Sequence, residues 1–297
     1  MDAWFQLCVE VPSDASDAVS GALFDLGSCG LQADDGSDAD SVRLTAYFPD
    51  CGDRSRVLRD IHHRFAALEQ TGGVKSGSLA GVRIDTSDVP REDWTRSWRA
   101  HFRPVFPTAR MVVCPPWEPV DPPEGGFRIT IEPKMAFGTG HHETTRTCLR
   151  ALEKEVSPGD RVLDLGTGSG ILAIAAARMG AREVIAVDTD DQAIENASEN
   201  ASLNGVEGRI RFRQGTTDPT DGLFEVVAAN VTSGVLGPLV PELKGCLVEG
   251  GRLILAGILT READAFVELL HEAGLAIGER AREGEWTTLV CVSAESG

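Results

Sequence analysis

From residue 161 onward, apolar runs of strand length alternate with helical segments: RVLDL, a helix from about 170, VIAVD, a helix from about 190, RIRFR, FEVVAAN, a helix near 235–248, then RLILAGI. Strands that are apolar throughout bury both faces, and strands that take turns with helices wind into a parallel sheet covered on both sides. A last helix near 261–273 precedes LAIGER and EWTTLVCV, joined by a short turn, so an antiparallel strand is expected to complete the sheet. The C-terminal half is thereby confined to an open α/β fold, whose ligands bind beyond the carboxyl ends of the strands.

Within that frame, VLDLGTGSGILAIAAARMG ends a buried strand in Asp164 and turns into a helix through Gly166, Gly168 and Gly170. Glycines there let backbone approach a ligand without a Cβ clash. VIAVD ends in Asp188, eighteen residues after Gly170, where a carboxylate can accept hydrogen bonds from ribose hydroxyls. Together they imply an adenosine-bearing cofactor. A dinucleotide usually goes with G-x-G-x-x-G, whereas this turn is G-x-G-x-G behind an acidic residue. Asp164 is unfavourable beside a phosphate and favourable beside the amino group of a methionine moiety, directly or through water; the other reading is that it only caps the turn. FEVVAANV ends a strand in Asn230, which in such a sheet lies next to the first strand and faces the cofactor, although an Asn in that place is often a plain turn residue.

MAFGTGHHETTRTCLRAL places His141 and His142 after a Gly-Thr-Gly turn. Neighbouring helical residues point about 100° apart, while helical metal pairs sit at i and i+4, where Thr145 and Arg146 stand instead. No metal site is expected. The cysteines at 8, 29, 51, 114, 148, 246 and 291 form no CxxC pair and are read as reduced thiols.

The first ninety residues read β-α-β-β-α-β, a ferredoxin-like pattern that names no function by itself. Residues 87–126 are rich in Pro and Trp, with Trp94, Trp98 and Phe102 on one helical stripe, and are read as a linker carrying a short helix. The expected division is 1–86, 87–126 and 127–297. A formal charge of −18 argues against direct nucleic-acid binding and would attract a basic protein, although solubility or adaptation to salt is the plainer reading of it. No apolar run approaches a membrane span, and the acidic N-terminus is unlike a signal peptide, so a cytoplasmic protein without membrane association is expected.

DWTRSWRAHFRPVF, IEPKMAFGTGHHETT, VLDLGTGSGILAIAAARMGAREVIAVDTD, VVAANV and GGRLILAGIL, in that order, resemble the ribosomal protein L-eleven methyltransferase (PrmA) family over nearly the whole chain. The resemblance implies an α/β protein with a Rossmann-like class I methyltransferase sheet and a small N-terminal α+β ferredoxin-like domain for substrate recognition. It implies S-adenosyl-L-methionine as cofactor, and methylation of lysine side chains and the N-terminal α-amine of the large-subunit ribosomal protein L-eleven. By motif, Phe137, Thr145, Asp164, Gly166, Gly168, Gly170, Asp188 and Asn230 correspond to cofactor-binding positions, with Asn230 also catalytic, the GTG turn and following helix covering the methionine end, and the histidines starting that helix. Lys134 stands where the family usually has Gly, and VTSGVLGPL after Asn230 departs from the usual run. A monomer is expected. The readings kept beside this one are a lysine methyltransferase of the same fold acting on another protein, a nicotinamide-dependent oxidoreductase, and a non-catalytic S-adenosylmethionine-binding regulator.

Overall fold

The computed structural model describes residues 4–28, 30–38, 40–49, 54–70, 74, 75, 77, 79, 82–89, 102–133 and 138–293. The chain divides into two compact units between residues 101 and 102. The stripe residues Trp94 and Trp98, and with them Lys134 and Phe137, lie outside the described residues.

In the first unit, β1 (Trp4–Pro12), α1 (Ser16–Asp25), β2 (Gly30–Asp35), β3 (Ser41–Pro49), α2 (Arg54–Gln70) and β4 (Ile84–Val89) follow the β-α-β-β-α-β order. The sheet is antiparallel with order β2-β3-β1-β4. Period-two alternation turns Phe5, Leu7, Val9 and Val11 of β1, and Leu44, Ala46 and Phe48 of β3, to one face. Val19 and Leu23 of α1 and Ile61 and Phe65 of α2 cover it. β4 runs to Val89, past the expected boundary at 86.

The second unit begins with strands where a linker was expected. β5 (Val105–Thr108) and β6 (Met111–Cys114) form an antiparallel pair, and β7 (Phe127–Thr130) adds parallel to β6. Four-residue strands, one of them carrying Pro107, give a weak periodic signal, although Met111, Val112, Val113 and Cys114 are all buried. The free edge of β7 is closed by side chains that imitate a strand. Asn204 accepts from Thr130 N at 2.8 Å and donates to Thr130 O at 2.7 Å, and Asn200 accepts from Glu132 N at 2.9 Å.

The main sheet comprises β8 (Arg161–Leu165), β9 (Glu183–Asp188), β10 (Ile210–Gln214), β11 (Phe224–Asn230), β12 (Leu247–Leu259), β13 (Leu275–Glu283) and β14 (Trp286–Ser293). Among the described residues its order is β10-β9-β8-β11-β12-β14-β13, with β14 antiparallel to both neighbours. The expected antiparallel completion is therefore an insertion between β12 and β13. Even positions such as Val162, Val184, Val226 and Ile254 pack under α3 (Glu143–Glu155) and α4 (Ile171–Arg178). Leu163, Leu165, Ile185, Val227 and Leu253 pack on the other face under α6 (Ser233–Gly245) and α7 (Ala263–Glu272). α5 (Asp191–Leu203) links β9 to β10. α4, ILAIAAAR, is apolar all round and buried over Ile171–Ala177, as befits a helix between sheet and neighbours. This is the Rossmann-like α/β architecture anticipated above. Its winding reverses at β8, flanked by β9 and β11, and that switch point is where a ligand cleft opens.

Candidate active site

A cleft of about 570 Å³ runs across the carboxyl edge of the main sheet. Strand order fixes its layout. Gly215 and Thr216 follow β10; Asp188, Thr189 and Asp190 end β9; Leu165, Gly166 and Gly168 end β8; Asn230, Val231 and Thr232 end β11; Gly257 belongs to β12; and Trp286 begins β14. His142 and Thr144, at the start of α3, share the Trp286 end. The size falls in the range of small-molecule sites.

The glycine turn is shaped by close approach. Gly166 has φ +72°, and a Cβ there would stand 2.4 Å from Val231 Cγ1. Gly170 caps α4 at φ +82°, with Ala197 Cα of α5 only 3.1 Å from where its Cβ would be. Any side chain would strain the turn or push α5 away.

Asp188 ties this turn to β9. Its Oδ2 accepts from Gly168 N at 2.9 Å and its Oδ1 from Asp190 N at 3.1 Å. A carboxylate has about four lone-pair positions, so each oxygen keeps one for a ligand hydroxyl. Asp190, in turn, caps α5 by accepting from Gln192 N.

Asp164 sits behind the turn rather than on the cleft wall. Fully buried, it accepts through Oδ2 from Thr167 Oγ1 at 2.7 Å and from Ala173 N at 3.0 Å, holding the turn against the start of α4. Its Oδ1 is buried with no hydrogen-bond partner among the described residues. Burial pushes its carboxyl up to about 6, against the lowering effect of the Thr167 and Ala173 hydrogen bonds.

Asn230 donates from Nδ2 to Thr145 Oγ1 at 3.4 Å, joining β11 to the first turn of α3. Thr145 is itself buried and stands behind Asn230. His142 is the N-cap of α3, its Nδ1 accepting from Thr144 N at 3.3 Å and lying 2.8 Å from Thr144 Oγ1. Its ring meets Trp286 edge-on at 5.1 Å, and burial holds its titration below the usual histidine range. His141 packs edge-on against Phe102 at 5.7 Å and is likewise lowered by burial. Among the described residues no group of three His, Cys, Asp or Glu side chains could hold a metal ion.

Of the sequence-derived residues, Gly166, Gly168, Asp188 and Asn230 thus come together on the wall, while Thr145, Asp164 and Gly170 support it from behind. Sequence reasoning missed Thr144, Gly215, Thr216, Gly257 and Trp286. Trp286 carried a usable signal: it begins a strand directly after the EGE turn, on the ligand side of an antiparallel insertion.

The donor set fits an adenosine-bearing cofactor with an amino-acid tail. A carboxylate stands at the β9 end, glycines without room for a Cβ lie at the β8 end, and apolar Ala193, Val231, Val235 and Leu239 line the wall between polar groups.

Comparison with known proteins gives a consistent result. The family described as Ribosomal protein L11 methyltransferase (PrmA) matches residues 3–294. A protein of that name from Geobacter sulfurreducens is 39% identical over 300 residues, covering 97% of this chain and 97% of the relative. One from Pelotomaculum thermopropionicum is 36% identical, covering 96% and 97%. A crystal structure titled as ribosomal protein L11 methylase from Lactobacillus delbrueckii subsp. bulgaricus is 32% identical with a TM-score of 0.61, over 65% of this chain and 100% of the other.

Proposed function

The chain belongs to the ribosomal protein L11 methyltransferase family, and on that premise we propose that it methylates lysine side chains and the N-terminal α-amine of ribosomal protein L11 at the cleft described above. It is an S-adenosyl-L-methionine-dependent protein methyltransferase. The observation that carries the site assignment is the Asp188 carboxylate held on Gly168 N at 2.9 Å, on the wall of a cleft at the sheet's switch point.

When bound, the cofactor supplies an electrophilic methyl group on a sulfonium. Asp188 would hold the ribose hydroxyls through its two remaining lone-pair positions, and the Gly166–Gly168 backbone would hold the tail. Asp164 keeps the turn rigid, and the charge of its buried, unpartnered Oδ1 would favour a positive amino group across the turn. Asn230, backed by Thr145, orients the lone pair of the incoming amine through its side-chain oxygen, leaving its Nδ2 on the Thr145 hydroxyl. Deprotonating a lysine of pKa about 10.4 at pH 7 costs roughly 4–5 kcal/mol, against about 1 kcal/mol for an α-amine near 7.7–8.0. A cleft that excludes water disfavours the ammonium form, so alignment is the residues' main task and no dedicated base is required.

On this proposal the labour divides between the two units. The cofactor-facing residues all belong to the second unit, and the first unit, a complete β-α-β-β-α-β fold, recognises the protein substrate. The charge of −18 suits a basic protein and gives no support to direct nucleic-acid contact. The proposal includes a protein that works as a monomer in the cytoplasm, where a ribosomal protein substrate is met. No helix among the described residues is long and apolar enough to cross a membrane. Incubation with methyl-labelled S-adenosyl-L-methionine and a mixture of large-subunit ribosomal proteins tests the reading. Label should enter L11, and label confined to another protein would replace the substrate.

A further inference from the structure

Asp221 ends a single 3-10 turn, Pro219–Asp221, between β10 and β11, and the chemistry above makes no use of it. Its side chain is 3% exposed. A carboxylate is seldom buried unless paired, so its partners indicate what it is buried for. They are two arginines of β10. Arg211 bonds Oδ1, and Arg213 Nη2 donates to Oδ2 at 2.9 Å. Two residues apart on a strand, both side chains leave the same face.

The two arginines differ in one respect. Arg213 Nη2 also donates to the backbone carbonyl of Thr216 at 2.6 Å. Among the described residues β10 is an edge strand paired only with β9, so the sheet holds the chain leaving the strand on one side alone. Gly215 and Thr216 nevertheless form the cleft wall beside Asp188. The Gly215 N–H donates to Asp188 O at 2.7 Å, and Gly215 has φ +126°, with Arg213 Nη1 3.2 Å from where a Cβ would stand. The Gly215–Thr216 segment is therefore held at both ends, the Gln214–Gly215 peptide by Asp188 and the Thr216–Thr217 peptide by Arg213.

We propose that Asp221 and Arg213 are positioning residues for the wall that faces the cofactor's purine base. Asp221 anchors the guanidinium, the guanidinium fixes the Thr216 carbonyl, and that peptide orientation decides which main-chain groups after β10 meet the base edge. Neither side chain touches the ligand. Without the anchor the segment from Gly215 to the Thr216 carbonyl is free to turn, because a glycine has no Cβ to oppose it. The inference rests on the reading of the Asp188 end as the nucleoside end.

Comparison of Arg213→Gln with Arg211→Gln tests it, since each removes one ion pair from Asp221 but only Arg213 reaches Thr216. Arg213→Gln should raise the KM for S-adenosyl-L-methionine, and the Kd of S-adenosylhomocysteine by calorimetry, about tenfold, the size of one charge-assisted hydrogen bond. Its kcat should stay within about twofold, because the reacting atoms are at the other end. Arg211→Gln should lower the thermal transition without moving KM or Kd. In the ligand-free protein, amide exchange at residues 215–217 should rise in Arg213→Gln alone. Should that variant fail to fold, Arg213→Lys keeps a cation for Asp221 but replaces the guanidinium fork by a single ammonium, and should show the same KM shift at smaller size. Equal Kd changes in the Arg211 and Arg213 variants, or none in either, overturn the inference alone. Absence of S-adenosylhomocysteine binding by the unsubstituted protein overturns the nucleoside reading and this inference with it.

Discussion

The side-chain amide of Asn230 donates to the Thr145 hydroxyl at 3.4 Å, linking the ligand-facing end of β11 to the first turn of α3. The link sets which way the Asn230 amide presents its oxygen to the cleft. Asn230→Ala should lower the methylation rate at least tenfold while moving the thermal transition by only a few degrees, and Thr145→Val should give a smaller loss of kcat at unchanged fold. A transition shifted by more than about ten degrees in Asn230→Ala would instead make it a turn-stabilising residue, since a half-exposed strand end carries little of the core.

Asp188 contributes through charge and through the backbone it holds. Asp188→Ala should weaken S-adenosylhomocysteine binding by about 2–3 kcal/mol, the range for hydrogen bonds to an ionised group. Asp188→Asn, which keeps one acceptor for Gly168 N, should lose less. Isothermal titration of both variants checks the order, and unchanged affinity in Asp188→Ala would remove it from the site.

Much of this site was legible in the sequence because it is built from local backbone requirements. Glycines at 166, 168 and 170 have positive φ, and acidic or amide residues end β9 and β11. Such features are encoded by residue type at fixed spacing. Illegible were contacts made at long range. Trp286 reaches the cleft because β14 inserts antiparallel between β12 and β13, and the Thr216 carbonyl is bonded by Arg213, itself paired with Asp221. The short strands β5 and β6 were hidden for a different reason: four residues are too few to show a period, and Pro107 inside β5 argues against a strand. Asp164, readable from its spacing as either a ligand contact or a cap, is placed as the hydrogen-bond acceptor of the turn and of α4, with its second oxygen buried.

That buried carboxyl gives a pH signature. Its folded pKa of about 6 lies above the ordinary value of 3.8. Below about pH 4 both folded and unfolded states hold the proton. As pH rises from about 4 to about 6 the unfolded chain releases its proton first, so the folded state loses stability, by about 3 kcal/mol over the window. Asp164→Asn should lack this loss. Urea titrations of both proteins at intervals across that range provide the difference, and parallel curves would contradict the assignment. Comparing the two cancels the opposite contribution of groups held low, such as Glu10 and Glu283.

The two units make separate predictions. A chain beginning at Phe102 should fold and bind S-adenosylhomocysteine within about twofold of the full chain, because every residue lining the cleft follows that point. It should methylate intact L11 at least about tenfold more slowly, through a raised KM for the protein. Full-rate methylation by the shortened chain would place recognition in the second unit.

The most direct measurement is the intact mass of purified L11 after incubation with the protein and S-adenosyl-L-methionine, with Asp188→Ala run beside it. L11 should gain mass in whole methyl increments on lysines and the N-terminal amine, with the Asp188 variant slower at limiting cofactor. An L11 mass that stays unchanged while the protein binds S-adenosylhomocysteine would contradict the proposed substrate, and an unchanged mass without such binding would contradict the assignment of the cleft itself.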